Sequence, residues 1–361
     1  MYLGQVSCSS FRNLENPHWQ PGPGCHLLLG PNGAGKTSLL EAIYLLATTR
    51  SFRTAQLLEC AHHGTSEFHL QGEAEGEQRI RLEIGFGPAG RHRTLNGNAT
   101  SLVDHLRVLP VVAWTGEDRE ILSGPPEKRR RFLDQGIVGT RPTALETLAR
   151  FRRTLFQKRQ LLLRDDQSLR SWNELMASAA ADLMSLRRQY LGSLSTALSE
   201  ILSSTDLDLP DLRLEYRPSI RVADDDEAEI LQELLKISAD ERRERRPLLG
   251  PQRDEVVIGW GRHSVRKVGS AGERKVLGLL LTAARGRVLS MADRSPVFLL
   301  DDADSELDEG RLASVWQAFQ GASQVFVSSS RPDIWSMIPE AVRWQLTAGR
   351  ISLEKGRKKV S

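Results

Sequence analysis

The chain has 361 residues, enough for two or three domains of roughly 150 residues each. Lys and Arg exceed Asp and Glu by a net charge of only +3, and 40% of the residues are hydrophobic, which excludes a disordered or collagen-like protein. No apolar stretch approaches the roughly 20 residues that span a bilayer, and no secretory signal opens the sequence, so we expect no membrane segment. Three cysteines without metal-ligand spacing indicate a reduced, cytoplasmic protein.

The first hundred or so residues predict two kinds of structure. A short apolar run over 25–29 stops at a glycine-rich loop over 30–35, and apolar residues at helical spacing follow that loop. Residues 66–103 instead alternate apolar and polar side chains and contain Asn96-Gly97, a pair typical of hairpin turns. We therefore expect a strand–loop–helix unit with an antiparallel β appendage.

The glycine-rich loop matches the phosphate-binding pattern G-x-x-x-x-G-K-S/T between a predicted strand and a predicted helix. Glycines let backbone N–H groups turn toward a polyphosphate, and the helix N-terminus adds its dipole. We expect Lys36 to act in catalysis by placing its charge against the terminal phosphates, and the Thr37 hydroxyl to coordinate Mg²⁺. The predicted ATP-binding residues are Gly30, Pro31, Asn32, Gly33, Ala34, Gly35, Lys36, Thr37 and Ser38.

The middle of the chain differs from its two ends. Long helices are predicted from about 136 to 205, whereas glycines, β-branched residues and predicted strands return after Pro247. This order predicts an α/β unit built from both ends of the chain, with a helical insertion between them. The predicted boundaries are 1–134 and 247–361 for the two halves of the α/β unit, and 135–246 for the insertion.

A second candidate site follows a buried strand over 297–300. Four apolar residues end there in Asp301 and Asp302, which places the carboxylates at the C-terminal edge of a sheet, where open α/β folds bind ligands. We expect Asp301 to hold Mg²⁺ through water, and Asp302 to polarise an attacking water as a general base. An ordinary turn at the strand end is the alternative for the pair on its own.

A third candidate site is the helix start at Ser270, Gly272 and Glu273. A helix N-terminus can bind an anion with its free N–H groups and its dipole. Ser270 is also a favourable N-cap residue, so a purely structural helix cap remains an equal alternative for this segment.

Taken in chain order, these three motifs and the following Ser305-Glu306-Leu307-Asp308 resemble the ABC-type ATPase heads of the SMC and DNA-repair class. The sequence is similar in particular to the RecF family of bacterial recombination mediators. The segments that carry this closer resemblance are Tyr2-Leu3 and residues 11–14, 30–38, 49–53, 117–118, 124–134, 250–254 and 301–308.

The resemblance implies the fold and the cofactors. The expected fold is an ABC-type ATPase head, with a P-loop sheet and an antiparallel β appendage, plus a helical second lobe inserted in the chain. The resemblance further implies an ATP-dependent homodimer in which two ATP molecules, with Mg²⁺, lie between the protomers. Each ATP would be held by one chain's loop and, in trans, by Ser270, Gly272 and Glu273 of the other chain.

The resemblance also implies a function in replication and recombinational repair. The family binds double-stranded and gapped DNA when ATP is bound, and works with RecO and RecR to help load RecA. A basic stretch over 125–164 carries 11 Lys and Arg against three acidic residues, which suits phosphate contacts, although a solvated helix surface is the alternative. The candidate DNA-binding residues are Arg129, Arg130, Arg152, Arg153, Lys158 and Arg159.

Several positions depart from the family's pattern. Gly116 replaces a usual proline, which bears on whether Glu117 reaches the Mg²⁺, and Glu273 replaces a more frequent Gln. Serines 328–330 stand where transporter-type heads carry a switch histidine, and Asp302 is shorter than the Glu of many heads. We therefore expect a weak, DNA-dependent ATPase that acts as a switch, with a turnover below about 1 s⁻¹.

Two other functions share parts of this pattern. A nucleotide-binding subunit of an ABC membrane transporter has the same phosphate-binding loop and Ser-x-Gly motif, but this chain lacks the switch histidine and carries a basic helical insertion. The other alternative is a binding scaffold for which ATP is only a structural ligand.

Overall fold

The computed structural model describes residues 1–164, 169–207, 209–261, 263–265 and 269–354. The chain divides into two compact units. The first consists of Met1–Arg119, Leu198–Leu207 and the residues from Ser270 onward, and the second of Glu120–Ala197 and Asp208–Gly269. Both ends of the sequence therefore contribute to the first unit.

The first unit contains two sheets. Its N-terminal strands are β1 (Tyr2–Ser9), β2 (His18–Trp19), β3 (Gly24–Leu29), β4 (Phe68–Glu75), β5 (Ile80–Gly87), β6 (Gly90–Leu95), β7 (Asn98–Ala99) and β8 (Val111–Trp114). Strands β9 to β11 belong to the second unit. The C-terminal strands of the first unit are β12 (Val297–Leu300), β13 (Gln324–Ser329), β14 (Val342–Thr347) and β15 (Arg350–Leu353). One sheet is antiparallel in the order β2-β1-β4-β5-β6-β7, and the other has the order β15-β14-β3-β13-β12-β8. In the second sheet, β14, β3, β13, β12 and β8 run parallel, so their C-terminal ends meet at one edge.

The helices of the first unit, in its described part, are Lys36–Thr48, Leu102–Val108, Ala271–Met291 and Glu309–Gln317. Helix Lys36–Thr48 buries Leu39, Leu40, Ile43 and Leu46 completely in a core that side chains from both sheets share. Burial of each such side chain contributes roughly 1.5–3 kcal/mol. The predicted apolar stripe of this helix therefore fixes the phosphate-binding loop at its N-terminus against the core.

Two glycines seat the helix Ala271–Met291 close to the parallel sheet. A Cβ on Gly278 would lie 2.2 Å from the ring of Trp114, and a Cβ on Gly286 would lie 2.0 Å from the ring of Phe298. Because these rings stand on β8 and β12, larger residues at the two positions would push the helix off the sheet.

The second unit is mainly helical, with a small antiparallel sheet. Its strands are β9 (Leu212–Arg217), β10 (Glu255–Trp260) and β11 (His263–Ser264), in the order β11-β10-β9. Leu148, Phe151, Met176, Leu183 and Ile230 lie in its apolar core. Its helices are Pro126–Thr140, Ala144–Arg164, Leu169–Ser204, Glu227–Lys236 and Ser238–Glu244. The last residues of helix Leu169–Ser204 are assigned to the first unit. A short helix, Arg119–Ser123, connects the two units along the chain.

Asp254 is the centre of a buried polar network in the second unit. Its carboxylate is fully buried and accepts hydrogen bonds from Arg187 at 3.0 Å, from the Ser219 N–H at 2.9 Å, and from the Tyr216 hydroxyl. Arg187 also binds Asp134 at 2.9 Å; burial alone would lower its pKa, but the neighbouring acidic groups raise it above its ordinary value. Arg187, which interrupts an apolar helical pattern in the sequence, therefore stays charged inside the unit.

The unit boundaries in the structure differ from those drawn on the sequence. Residues 120–134 and 247–269 belong to the second unit, whereas the predicted insertion covers only 135–246. The Arg129 guanidinium on helix Pro126–Thr140 binds Glu255 on β10 at 2.6 Å, and Arg187 links Asp134 to Asp254. The Arg129–Glu255 pair therefore joins the two flanking segments to each other, and Arg187 joins both of them to the helical insertion.

Candidate nucleotide-binding site

The phosphate-binding loop lies directly between β3 and helix Lys36–Thr48. Gly30 has a φ of +153°, and a Cβ there would lie 2.4 Å from the Leu346 carbonyl oxygen. Gly35, the residue before the helix, has a φ of +106°, a conformation that side-chain-bearing residues rarely adopt. The two end glycines of the motif are therefore required by the path of the backbone, and they place the loop at the helix N-terminus.

Lys36 is buried inside this loop. Its Nζ donates to the carbonyl oxygens of Gly30 at 2.7 Å and Pro31 at 3.0 Å, and only 6% of the residue is exposed. Burial lowers the pKa of Lys36, while Asp302 and Asp301 act in the opposite direction. Two neutral carbonyl oxygens of its own loop thus orient the ammonium group. The phosphate oxygens of a bound ligand can replace these carbonyl acceptors.

Thr37 and Asp301 meet although they are 264 positions apart. The Thr37 hydroxyl donates to Asp301 Oδ1 at 2.9 Å, and the Ser328 hydroxyl donates to the same oxygen at 2.6 Å. Burial raises the pKa of Asp301, and the two hydroxyl hydrogen bonds oppose that effect. A hydroxyl and a carboxylate are hard oxygen donors that suit Mg²⁺, which keeps water and phosphate oxygens as further ligands.

The oxygen donors of Thr37 and Asp301 fit an Mg²⁺ ion whose other ligands come from phosphate and water. Among the described residues, no cluster of three or more His, Cys, Asp or Glu side chains is able to hold a metal by itself. A cation at Thr37 and Asp301 would therefore depend on phosphate and water for most of its coordination.

Asp302 faces the same cavity as the phosphate-binding loop. Its φ is +49°, and its backbone N–H donates to Ser328 Oγ at 2.9 Å. The neighbouring Ser329 is fully buried and donates to Asp304 at 2.8 Å. Ser328 and Ser329, which stand where transporter-type heads carry a switch histidine, therefore hold the acidic residues that follow β12. The cavity has a volume of about 590 Å³, and its lining includes Asn32, Gly33, Gly35, Lys36, Thr37, Ser38 and Asp302.

Residues to which the sequence pattern assigned no chemical role complete the cavity wall. Asn13 donates to the Gly33 carbonyl at 2.8 Å and accepts from the Ser38 hydroxyl at 2.7 Å, which ties the middle of the loop to the first turn of the following helix. Arg12 and Arg53 also line the cavity. The signal for these residues lies in segments 11–14 and 49–53, which carry the family resemblance.

The fully buried carboxylate of Glu41 orients the two arginines. Arg12 binds it through two nitrogens at 2.7 and 2.9 Å, Arg53 binds it at 3.3 Å, and the Ser51 hydroxyl donates to it at 2.5 Å. Burial acts to lower the pKa of Arg12, but Glu41 raises it overall. Two cations are thus held at one side of the cavity, where they favour a polyanionic ligand.

Ser270 and Glu273 form a reciprocal helix cap. Ser270 Oγ accepts from the Glu273 N–H at 3.2 Å, and the Glu273 carboxylate accepts from the Ser270 N–H at 2.7 Å. These hydrogen bonds lower the pKa of Glu273. A Cβ on Gly272 would lie 3.4 Å from the Glu306 carbonyl oxygen, so this turn approaches the loop after β12. The structural cap is therefore present, and a contact in trans with ATP stays a prediction.

Glu117 lies on an exposed 3₁₀ turn, Gly116–Asp118. Asp118, rather than Glu117, caps this turn by accepting from the Thr115 N–H at 2.7 Å, and burial raises the pKa of Asp118. Within the described ranges, Glu117 makes no hydrogen bond or ion pair with Thr37 or Asp301. Its assignment as a metal ligand stays a prediction.

Two of the candidate DNA-binding residues are buried in ion pairs. Lys158 is fully buried 2.7 Å from Glu241; burial lowers its pKa and Glu241 raises it. Arg129 is only 8% exposed and binds Glu255 at 2.6 Å. The burial of Lys158 and Arg129 in these ion pairs argues against their contact with DNA phosphates, and the exposed candidates suit that contact better.

The other four candidates differ in exposure. Arg130 is half-buried and donates to the Asp254 carbonyl at 2.8 Å. Arg152, Arg153 and Arg159 are exposed on helix Ala144–Arg164. A DNA surface at these arginines stays a prediction. None of the helices in the described ranges combines the length and apolar character needed to cross a bilayer.

Comparison with known proteins gives consistent results. The family described as RecF/RecN/SMC N terminal domain matches residues 2–352. A "DNA replication and repair protein RecF" from Moorella thermoacetica is 32% identical over 96% of this chain and 95% of its own length. The corresponding protein from Chlorobium limicola is 30% identical over 95% of this chain and 100% of its own length.

Solved structures agree with the sequence relatives. A structure of the "recombination mediator protein RecF-ATPrS in RecFOR pathway" superposes with a TM-score of 0.86 at 25% identity, covering 98% of both chains. An SMC head bound to the C-winged helix domain of ScpA has a TM-score of 0.58 at 14% identity over 99% of this chain and 98% of that chain, which shows a shared fold. The predicted ABC-type ATPase head is confirmed, and the chain belongs to the RecF family of DNA replication and repair proteins.

Proposed function

We propose that this chain is an ATP-driven switch that binds DNA during replication and recombinational repair. The observation that carries the proposal is that Lys36, Thr37 and Asp302 line one cavity beside the loop, and that Asp301 accepts a hydrogen bond from the Thr37 hydroxyl. Membership of a RecF/SMC-like ATPase family and the ATPrS-bound relative support ATP as the ligand.

Each residue around the cavity has a defined task toward ATP. The loop N–H groups and Lys36 would bind the β- and γ-phosphates, and Thr37 with Asp301 would hold Mg²⁺ through a hydroxyl oxygen and a water-mediated carboxylate contact. The ion would neutralise charge that develops on the phosphates during hydrolysis. Asp302 would orient and polarise the attacking water as a general base.

The hydrolysis step is proposed to be slow and DNA-dependent. Asp302 has a shorter side chain than Glu, and its backbone is held in a left-handed conformation by the loop around it. We expect hydrolysis to reset the switch with a turnover below about 1 s⁻¹ even with DNA present.

ATP is proposed to join two copies of the chain. Ser270, Gly272 and Glu273 form a capped helix start, a backbone arrangement that presents N–H groups and a positive dipole end to an anion. In the proposed dimer, this helix start of one protomer contacts the γ-phosphate held by Lys36 of its partner. Each copy then supplies only part of each nucleotide site.

The ATP-bound dimer is proposed to bind double-stranded and gapped DNA in the cytoplasm. The exposed Arg152, Arg153 and Arg159 are the candidates for phosphate contacts. The relative described as part of the RecFOR pathway supports RecO and RecR as partners, and through them the loading of RecA.

Sedimentation of the purified protein with and without ATP and Mg²⁺ tests the proposal. We expect the mass to double with ATP and Mg²⁺, and the Asp302→Asn variant to retain the dimer longer because nucleotide is not hydrolysed. The Lys36→Met variant is expected to stay monomeric and to lose retention on double-stranded DNA at low salt. A wild type that remains monomeric when saturated with ATP and Mg²⁺ would refute the nucleotide-joined dimer, and a Lys36→Met variant that still dimerises and binds DNA would support the scaffold alternative.

The transporter alternative is not favoured. The relatives from Moorella thermoacetica and Chlorobium limicola are DNA replication and repair proteins, and their similarity extends over nearly the whole chain, including the helical insertion.

A further inference from the structure

Lys275 is a buried cation that the proposed hydrolysis does not use. It lies five residues after the cap residue Ser270, on helix Ala271–Met291, and is only 2% exposed. Its Nζ donates to the Asp302 carbonyl oxygen at 2.5 Å and to the Ser305 hydroxyl. The ammonium group therefore connects the helix that begins at Ser270 with the loop that carries the candidate general base.

Three hydrogen-bond donors converge on the Asp302 carbonyl oxygen. Besides Lys275, it accepts from the Ser305 hydroxyl at 3.0 Å and from the Ser305 backbone N–H at 3.2 Å. Asp302 has a φ of +49°, a left-handed conformation that is unfavourable for a side-chain-bearing residue unless surrounding contacts hold it. These three donors and the contact from Asp302 N–H to Ser328 supply such contacts.

Other cations hold the later part of the same loop. Arg331 donates to the carbonyl oxygens of Asp304 at 2.9 Å and Leu307 at 3.3 Å, and Arg119 binds the Glu306 carboxylate at 2.8 Å. With these contacts in place, loss of the Lys275 ammonium group would change the loop mainly at Asp302 and Ser305 rather than unfold it.

We infer that Lys275 is a positioning residue for ATP hydrolysis: it fixes the backbone of Asp302 so that the carboxylate faces the water that attacks the γ-phosphate. The inference rests on the proposed ATPase function of the cavity. It predicts that Lys275 affects the hydrolytic step and leaves ATP binding unchanged, since Lys275 donates to the loop after β12 and not to the phosphate-binding loop.

The test compares three full-length variants by steady-state and single-turnover ATP hydrolysis. Lys275→Met removes the charge and both hydrogen bonds, and we expect kcat to fall about tenfold or more while the KM for ATP changes less than about twofold. Lys275→Arg restores a cation with several donors and is expected to recover a large part of kcat. Arg287→Met, on the same helix but paired with Glu200 at the surface, is the matched control and is expected to keep the wild-type kcat.

The outcomes separate this inference from the proposed function. If the wild type binds and hydrolyses ATP but folded Lys275→Met keeps the wild-type kcat, the inference is overturned and the proposed function stands. If Lys275→Met does not fold, Lys275→Gln takes its place, because it removes the charge while a polar side chain remains at this buried position. We expect a severalfold lower kcat in Lys275→Gln; a wild-type kcat there overturns the inference. A wild type that does not bind ATP would instead refute the proposed function.

Discussion

Buried cations in this protein bind two kinds of acceptor. Lys158 and Arg129 are paired with the carboxylates of Glu241 and Glu255, so their charges are compensated within the fold. Lys36 and Lys275 instead donate to backbone carbonyls, and Lys275 also to a hydroxyl. The first two cations are internal to the second unit, whereas Lys36 and Lys275 place their charges beside the nucleotide cavity.

The stability of the protein should carry a pH dependence that Lys275 causes. Burial, together with the nearby Arg119, lowers the pKa of Lys275 to about 8, from an ordinary value of 10.5. Between these two pH values the unfolded chain binds more protons than the folded chain, so the free energy of unfolding due to Lys275 rises with pH. We expect wild type to gain stability relative to Lys275→Met from pH 8 to 10.5, measured by urea unfolding at several pH values. Parallel pH profiles would contradict this expectation.

Two helical glycines should respond in opposite directions to the same substitution. Gly286→Ala would place a Cβ 2.0 Å from the ring of Phe298, and we expect a loss of about 1–3 kcal/mol from overpacking. Gly192 lies on the exposed side of helix Leu169–Ser204, and a Cβ there would have no neighbour within 4 Å, so Gly192→Ala should stabilise by about 0.5–1 kcal/mol. Urea unfolding measures both; equal effects of the same sign would show that the close seating of Ala271–Met291 is unimportant.

The chemistry of single residues could be predicted only where a local pattern carries it. Lys36 and Thr37 follow from the loop motif, and Asp301 from an apolar strand that ends in a carboxylate. Lys158 and Arg129 could not be told from surface cations, because the partner of Arg129 is 126 positions away and nothing near Lys158 in the sequence indicates Glu241.

The start of helix Ala271–Met291 combines a structural cap with the proposed contact in trans, and two substitutions separate these effects. Ser270→Ala removes the cap hydrogen bond and should cost about 1 kcal/mol of stability. Ser270→Asp keeps a good N-cap residue, so stability should be nearly unchanged, but its negative charge would repel a γ-phosphate. We therefore expect Ser270→Asp to abolish nucleotide-dependent dimerisation, measured by sedimentation with ATP and Mg²⁺.

Binding of a fluorescent ATP analogue to the isolated protomer is the control for Ser270→Asp, and it should remain at the wild-type affinity. If Ser270→Asp dimerises like wild type, the serine acts only as a helix cap.

At the scale of elements, continuous apolar runs and motif glycines predicted the strands and the loop well. The runs over 25–29 and 297–300 become β3 and β12, parallel strands buried in one sheet, which is why most of their residues are apolar. The break at Gly124-Pro125-Pro126 is visible in the sequence, but the basic segment after it is a helix that already begins at Pro126. Its membership of the second unit involves contacts with distant residues, such as the Arg129–Glu255 ion pair, which periodicity does not reveal.

At the scale of the whole molecule, DNA affinity should depend on salt through a small set of exposed arginines. A variant that combines Arg152→Ala, Arg153→Ala and Arg159→Ala should bind double-stranded DNA more weakly in the presence of ATP. The slope of log affinity against log salt should fall by about 0.9 for each phosphate that no longer binds an arginine. Fluorescence anisotropy with a labelled duplex at several salt concentrations measures the slope.

The matched control removes three other exposed cations of the second unit, Arg213, Lys236 and Arg243, each paired with a neighbouring carboxylate. This variant has the same net charge as the first but should bind DNA like wild type. Equal losses in both variants would mean that net charge, rather than helix Ala144–Arg164, determines binding.

The position of β3 in its sheet has a consequence for biosynthesis. Both neighbours of β3, namely β13 and β14, are encoded near the other end of the chain. At roughly 5–20 residues per second, a ribosome needs on the order of 15–60 s to reach them, and for that time the nascent strand that leads into the glycine loop has neither edge paired. The newly made N-terminal half therefore exposes an apolar, unpaired strand, a surface that chaperones bind and that aggregates when synthesis stalls.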